Sequence, residues 1–135
     1  MDKGEPLAAL EGVVVHGRGN GHKVGMPTAN LRPNPGQELP PEGVYATLTW
    51  VDRERWLGVT NVGSRPSVDD DPAVTVETYM PGYAGDLYGR QMRVEFYLLL
   101  RPVMRFDSLE AVKEQVRKDV CRARAFFGLG DREEL

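Results

Sequence analysis

Met92-Arg93-Val94-Glu95-Phe96-Tyr97-Leu98-Leu99-Leu100 is the stretch that decides the fold. Met92, Val94, Phe96, Leu98 and Leu100 alternate with Arg93, Glu95, Tyr97 and Leu99. A period of two marks a strand with one face in a core. Upstream the same rhythm returns in Val74–Met80, where Val74, Val76, Thr78 and Met80 oppose Thr75, Glu77 and Tyr79. It returns again in Gly43–Trp50, with Val44, Ala46, Leu48 and Trp50 on one face and Tyr45, Thr47 and Thr49 on the other. Asp52–Glu54 reads as a hairpin tip leading into a returning strand, Trp56–Val62. Val13–His16 is a short β-branched run between Gly12 and Gly17, and reads as one more strand.

Downstream the period changes. Leu109, Val112, Val116, Val120, Ala123 and Phe127 recur at spacings of three and four, the stripe of an amphipathic helix. Asp107 with Glu110 three residues on fits a capping box with Asp in the cap position, and Gly128 stops the helix. Lys113, Arg117, Lys118, Arg122 and Arg124 share the other faces with Glu110, Glu114 and Asp119, the mixed charge of a solvated surface. Five or more strands followed by one helix predict a mainly β domain, an antiparallel barrel or sandwich with the helix over one opening or face.

The chain of 135 residues is the length of one domain, with 41% hydrophobic and 27% charged residues. Residues 1–9 read as a leader, 10–128 as the domain and 129–135 as a tail. Gly (15) and Pro (10) are abundant, as tight turns between strands require. Asn34–Glu42 is rich in both but too short for a domain linker. The longest strongly apolar run falls far short of the ~20 residues that span a bilayer, and no basic segment leads into an apolar one at the amino terminus. The lone Cys121 has no internal disulfide partner, so a reducing cytoplasm is the expectation. A net charge of −3 argues against a bulk electrostatic grip on nucleic acid while leaving room for one small polyanion. No nucleic-acid or membrane partner is expected, and the chain is expected to be a monomer.

His16–Asn30 is the most unusual segment: His-Gly-Arg-Gly-Asn-Gly-His-Lys-Val-Gly-Met-Pro-Thr-Ala-Asn. Gly17, Gly19, Gly21 and Gly25 allow backbone N–H groups to converge on an anion, and Arg18, His22 and Lys23 add positive charge. A phosphate cradle and an ordinary hairpin loop are both open from the glycine spacing. The dinucleotide fingerprint fails, because its third glycine position holds His22 or Val24. The P-loop fails because Lys23 follows His22 and precedes Val24. Thr28 and Asn30 present neutral oxygens two residues apart on one side of an extended segment. Such oxygens suit Mg²⁺ where substrate phosphates and water complete its shell; local turn hydrogen bonds are the other reading. Glu77, in mid-strand, either faces the barrel interior or a cleft, where it would accept a proton from a substrate hydroxyl, or faces solvent. His16, His22 and Cys121 lack zinc-site spacing, and Asp69-Asp70-Asp71 reads as a solvated turn.

Taken together, these motifs resemble the riboflavin kinase (flavokinase) family, including the kinase module of bacterial bifunctional FAD synthetases. The resemblance runs from about Leu10 to Phe127. It rests on Gly25-Met-Pro-Thr-Ala-Asn-Leu31, Gly43-Val-Tyr-Ala46, Gly58-Val-Thr-Asn-Val-Gly-Ser-Arg-Pro66, Val76-Glu-Thr78, Gly85-Asp-Leu-Tyr-Gly89, Leu100-Arg101 and Phe106-Asp-Ser-Leu109, in that order. It implies a six-stranded antiparallel, Greek-key-like barrel with a carboxy-terminal helix. It also implies transfer of the ATP γ-phosphoryl group to the ribityl 5′-hydroxyl of riboflavin, giving FMN and ADP with Mg²⁺. By motif position, Thr28 and Asn30 would hold Mg²⁺ and phosphate oxygens, and Gly19, Gly21, His22, Lys23 and Gly25 would wrap the nucleotide. Glu77 would be the general base, Tyr88 would lie near the nucleotide, and Arg101 and Phe106 would border the flavin, with Asn30 and Glu77 also facing substrate. Asn20 stands where the family usually has Arg, Val68 where it has an aromatic and Tyr79 where it has His. These departures keep two other readings in view: a non-catalytic flavin- or nucleotide-binding module, and a kinase for a different small alcohol.

Overall fold

The structure, a computed structural model, describes residues 4–15, 28–64 and 74–129. Among these residues six strands, β1 (Ala8–Val15), β2 (Ala29–Pro33), β3 (Gly43–Val51), β4 (Glu54–Ser64), β5 (Val74–Tyr79) and β6 (Gln91–Arg101), precede one helix, α1 (Leu109–Phe126). The strands close into a barrel in the order β1-β2-β5-β4-β3-β6, every pairing antiparallel. β2 lies beside β5 and not beside its chain neighbour β3, the Greek-key arrangement expected for this chain.

Two apolar clusters divide the molecule. The barrel interior holds Leu10, Val14, Leu31, Val76, Val94 and Phe96 among others, with no helix residue. The second cluster lies outside the wall, where Val44, Ala46, Leu48, Leu57 and Val59 meet Ala123 and Phe127 of α1. β3 is therefore buried on both faces along nearly its whole length. Its apolar face turns out toward α1, while Tyr45, Thr47, Thr49 and Val51 turn in. Three inward threonines are satisfied by one another, Thr47 Oγ1 to Thr60 Oγ1 and Thr60 Oγ1 to Thr78 Oγ1, each 2.9 Å, while the buried Thr49 hydroxyl has no partner among the described residues. Gly58 leaves the space they occupy, since an added Cβ would overlap the Thr47 hydroxyl.

β6 departs from strict alternation. Met92, Val94 and Phe96 fill the interior, but Leu98 and Leu100 pack with the helix-side cluster. Register shifts opposite Ala46/Thr47 and Val44/Tyr45 insert extra residues into β6. Each such bulge reverses the face presented, so Leu98 and Leu100 turn outward toward α1, while Leu99, 48% exposed, joins neither cluster.

The strand limits differ from the sequence reading at several points. β1 starts at Ala8, inside the stretch read as leader, because residues 8–13 pair with β6. Its end at Val15 leaves His16 outside the described residues. β2 has no strand signature of its own; it exists through its pairing with β1 and β5. The β3–β4 turn is Asp52-Arg53, both with positive φ (48° and 73°), as a two-residue type I′ hairpin needs, and Glu54 already belongs to β4. An Arg90–Asp52 ion pair ties this turn to the residue before β6.

α1 is capped one residue later than expected. Ser108 Oγ accepts from Ala111 N at 3.1 Å, leaving Asp107 outside the cap and placing Ala111, not Glu110, where a capping box needs its acid. Leu109, counted in the apolar stripe, is 52% exposed because the first turn carries no cover. Asp119, counted among the solvated charges, is wholly buried.

Candidate active site

The register brings distant residues into one row. Val15 lies opposite Asn30, Asn30 opposite Glu77, Glu77 opposite Asn61, Asn61 opposite Val44, and Val44 opposite Arg101. Directly opposed residues share a face of a sheet, with neighbouring strands about 4.8 Å apart. Val44 packs toward α1, so the whole row is on the outer surface of the barrel. Glu77 thus faces outward and not into the barrel interior, because it is the neighbouring Val76 and Thr78 that turn in. It stands between two carboxamides, Asn30 on β2 and Asn61 on β4.

Glu77 is half-buried, and burial pushes its carboxyl above the usual carboxylate range by desolvating the charged form. Among the described residues, no ion pair or hydrogen bond holds the Asn30, Glu77 or Asn61 side chains. Three adjacent polar side chains, one a desolvated carboxylate, are thus left to a ligand. Thr28, immediately before β2 and two residues from Asn30, continues the half-buried outer side of that strand. Its hydroxyl and the Asn30 carboxamide are a pair of hard, neutral oxygen donors, a set that fits a Mg²⁺ ion completed by phosphate and water. No cluster of three His, Cys, Asp or Glu exists among the described residues to compete for a metal.

Tyr88 is 55% exposed in the β5–β6 connection, where its backbone N–H donates to Asp86 Oδ1 at 3.0 Å. Gly89 N donates to Val14 O at 2.8 Å, and Val14 N donates to Arg90 O at 2.9 Å. These bonds hold the Tyr88 turn against the end of β1, next to Val15, the partner of Asn30. Gly19, Gly21, His22, Lys23 and Gly25 lie outside the described residues, in the stretch joining β1 to β2.

Arg101 ends the row on β6, but its guanidinium is committed. Nε donates to both Asp119 carboxylate oxygens at 3.0 and 3.1 Å, Nη2 donates to Oδ2 at 2.9 Å, and Nη1 donates to Pro102 O at 3.2 Å. Gln115 Nε2 completes the Asp119 shell at 3.1 Å. The guanidinium lies 5.6 Å from the Phe106 ring centre, so Arg101, Phe106 and the middle of α1 form one unit. Asp119 and Asn61 are the two residues that sequence reasoning missed. Asp119 had a signal: at three and four residues from Val116 and Ala123 it falls inside the apolar stripe, where a charge requires a partner. Asn61 had none without the β4–β5 register.

The described residues thus form a closed six-stranded barrel with a helix on its outer wall and, across one strand row, a carboxylate between two carboxamides. The chain belongs to the riboflavin kinase family: the Flavokinase model, described as riboflavin kinase, matches residues 5–127. The bifunctional riboflavin kinase/FMN adenylyltransferase of Pseudomonas fluorescens is 40% identical over 116 residues, which is 86% of this chain and 37% of that protein. The chain thus spans little more than a third of the length of this relative and of the bifunctional riboflavin kinase/FMN adenylyltransferase of Listeria monocytogenes. A crystal structure of a Streptococcus pneumoniae protein described as a macrolide-efflux protein superimposes with a TM-score of 0.81 at 28% identity, covering 88% of this chain and 38% of that one. The riboflavin kinase of Trypanosoma brucei shares the fold, with a TM-score of 0.62 at 24% identity over 94% of this chain and 83% of that one. No helix among the described residues is long and apolar enough to cross a membrane.

Proposed function

We propose that this chain transfers the γ-phosphoryl group of ATP to the terminal ribityl hydroxyl of riboflavin, releasing FMN and ADP. The observation that carries the proposal is the outward-facing Glu77, desolvated and set directly opposite Asn30 in a chain of the riboflavin kinase family.

The hydroxyl oxygen of the acceptor attacks the γ-phosphorus while the bond to the bridging oxygen of ADP breaks. Glu77 accepts the proton that the hydroxyl loses. A carboxylate whose proton affinity is raised by burial is a better acceptor than a solvated one, provided it is ionised at working pH. Thr28 and Asn30 are the residues that would hold Mg²⁺, which when bound neutralises charge on the nucleotide phosphates. The Gly19–Gly25 stretch would give backbone N–H groups to those phosphates, with Tyr88 bordering the nucleotide from the turn beside β1. Phe106, held under the Arg101 guanidinium, would border the flavin ring. Arg101 acts there through Phe106 and α1 and not as a free charge, because Asp119 occupies it. Catalysis of this kind is chiefly alignment and charge compensation, which a rigid barrel wall supplies.

Incubation with Mg-ATP and riboflavin, followed by chromatographic separation of flavins, tests the reading. FMN formation well above a Glu77→Gln control is the expected result. Flavin or nucleotide binding with no FMN above that control would instead make the chain a binding module.

A further inference from the structure

The site row contains one polar side chain to which this mechanism gives no work. Asn61 lies directly opposite Glu77, on the side away from Asn30. It is exposed, and no hydrogen bond among the described residues engages its carboxamide. The next residue on the same face of β4 is Gly63, where an added Cβ would stand 3.3 Å from Asn61 Oδ1. The carboxamide therefore lies along the strand over a position without a side chain. Thr75, opposite Gly63, turns its hydroxyl back to the Gly63 carbonyl at 3.4 Å. Asn61 and Thr75 thus stand over the buried Gly63, with Asn61 the exposed polar side chain next to Glu77.

The order of the row sets a direction. Asn30 is on the strand that follows the glycine-rich stretch, and Asn61 is two strands away with Glu77 between them. In phosphoryl transfer the attacking and leaving oxygens stand roughly in line on opposite sides of the phosphorus. With the nucleotide on the β2 side, the attacking hydroxyl comes from the β4 side, and the rest of its carbon chain passes over Asn61. A carboxamide donates and accepts at once, as does a secondary hydroxyl, and its neutrality suits an uncharged polyol. Resting on the riboflavin kinase reading, we infer that Asn61 grips the acceptor through the hydroxyl next to the one phosphorylated. It thereby distinguishes a polyol chain from a simple alcohol.

Steady-state kinetics on the full chain test this, with Asn61→Ala and Asn61→Ser beside the unaltered protein. The acceptors are riboflavin and a riboflavin analogue that keeps the terminal hydroxyl but lacks the neighbouring one. Loss of one hydrogen bond lowers kcat/KM for riboflavin roughly 3- to 10-fold in Asn61→Ala, through the riboflavin KM, with the ATP KM unmoved. The analogue is expected to be poorer with the unaltered protein by a similar factor and indifferent to the substitution, and Asn61→Ser to recover part of the loss. An unchanged riboflavin KM, an equal loss for both acceptors, or a shift in the ATP KM instead would overturn the role of Asn61 while leaving the kinase reading intact. Absence of FMN with the unaltered protein would remove both.

Discussion

Glu77 stands under two opposing demands: a proton acceptor must be ionised, and a half-buried carboxylate resists ionisation. The consequences are measurable in opposite directions. Glu77→Gln is expected to lower FMN formation by about 10²–10⁴-fold, the usual contribution of a positioned base, read from initial rates at saturating Mg-ATP. In the unaltered protein, kcat/KM for riboflavin is expected to fall as pH drops through the carboxyl's titration. That limb should lie above the ordinary carboxylate range because desolvation raises the pKa. Stability runs the other way. A carboxyl whose folded pKa exceeds its unfolded value binds protons more tightly when folded, so stability falls as pH rises from the unfolded to the folded pKa. Above that window the ionised group weighs against the fold. Thermal melts should therefore show Glu77→Gln more stable than the unaltered protein at pH 7, with the difference vanishing below the unfolded carboxylate pKa. A variant less stable at neutral pH would show that Glu77 is not held against its own desolvation.

At the scale of elements, α1 is fastened to the barrel by apolar contact and by one ionic strap. Asp119 is fully buried and the Arg101 side chain only 13% exposed, with Gln115 completing the shell. Removing one partner of such a pair strands a buried charge. Asp119→Ala is expected to cost about 3–5 kcal/mol, measured by urea denaturation, while a joint Arg101→Met and Asp119→Leu replacement should cost much less. If the single and double variants lose equally, the strap does not hold the helix. Because Arg101 also carries Phe106, the single variant is expected to raise the riboflavin KM as well. The helix start offers a smaller test: Ser108→Ala should cost about 1 kcal/mol, whereas Asp107→Ala should leave the melting temperature nearly unchanged. The helix itself was legible from its apolar spacing, as were most strands from their alternation. What those patterns did not give was the cap, set by which of two adjacent polar residues reaches Ala111. The outward turn of Leu98 and Leu100 was equally hidden, since it comes from bulges in β6 that exist only in its pairing with β3.

The molecule as a whole is a barrel that fills part of its interior with hydroxyls. Thr47, Thr60 and Thr78 are each fully buried and satisfy one another across three strands, directly behind the row that holds Asn61 and Glu77. Thr60→Val, removing the central member, is expected to cost about 1–3 kcal/mol by leaving its neighbours unpartnered. Replacing all three by Val should cost less than the sum of the single losses. Additive losses in denaturation would show that the hydroxyls do not act as one chain. At this scale the sequence by itself determined a mainly β domain with one carboxy-terminal helix, and its ordered motifs resembled the riboflavin kinase family. Alternation and helical spacing are local properties, readable one segment at a time. Only the tertiary structure decided that Ala29–Pro33 is a strand, that Asp119 is buried, that Arg101 is already paired, and that Asn61 is the neighbour of Glu77. Those facts depend on which residue faces which across a closed wall. That register is set by closing the whole barrel at once, so no single segment contains it.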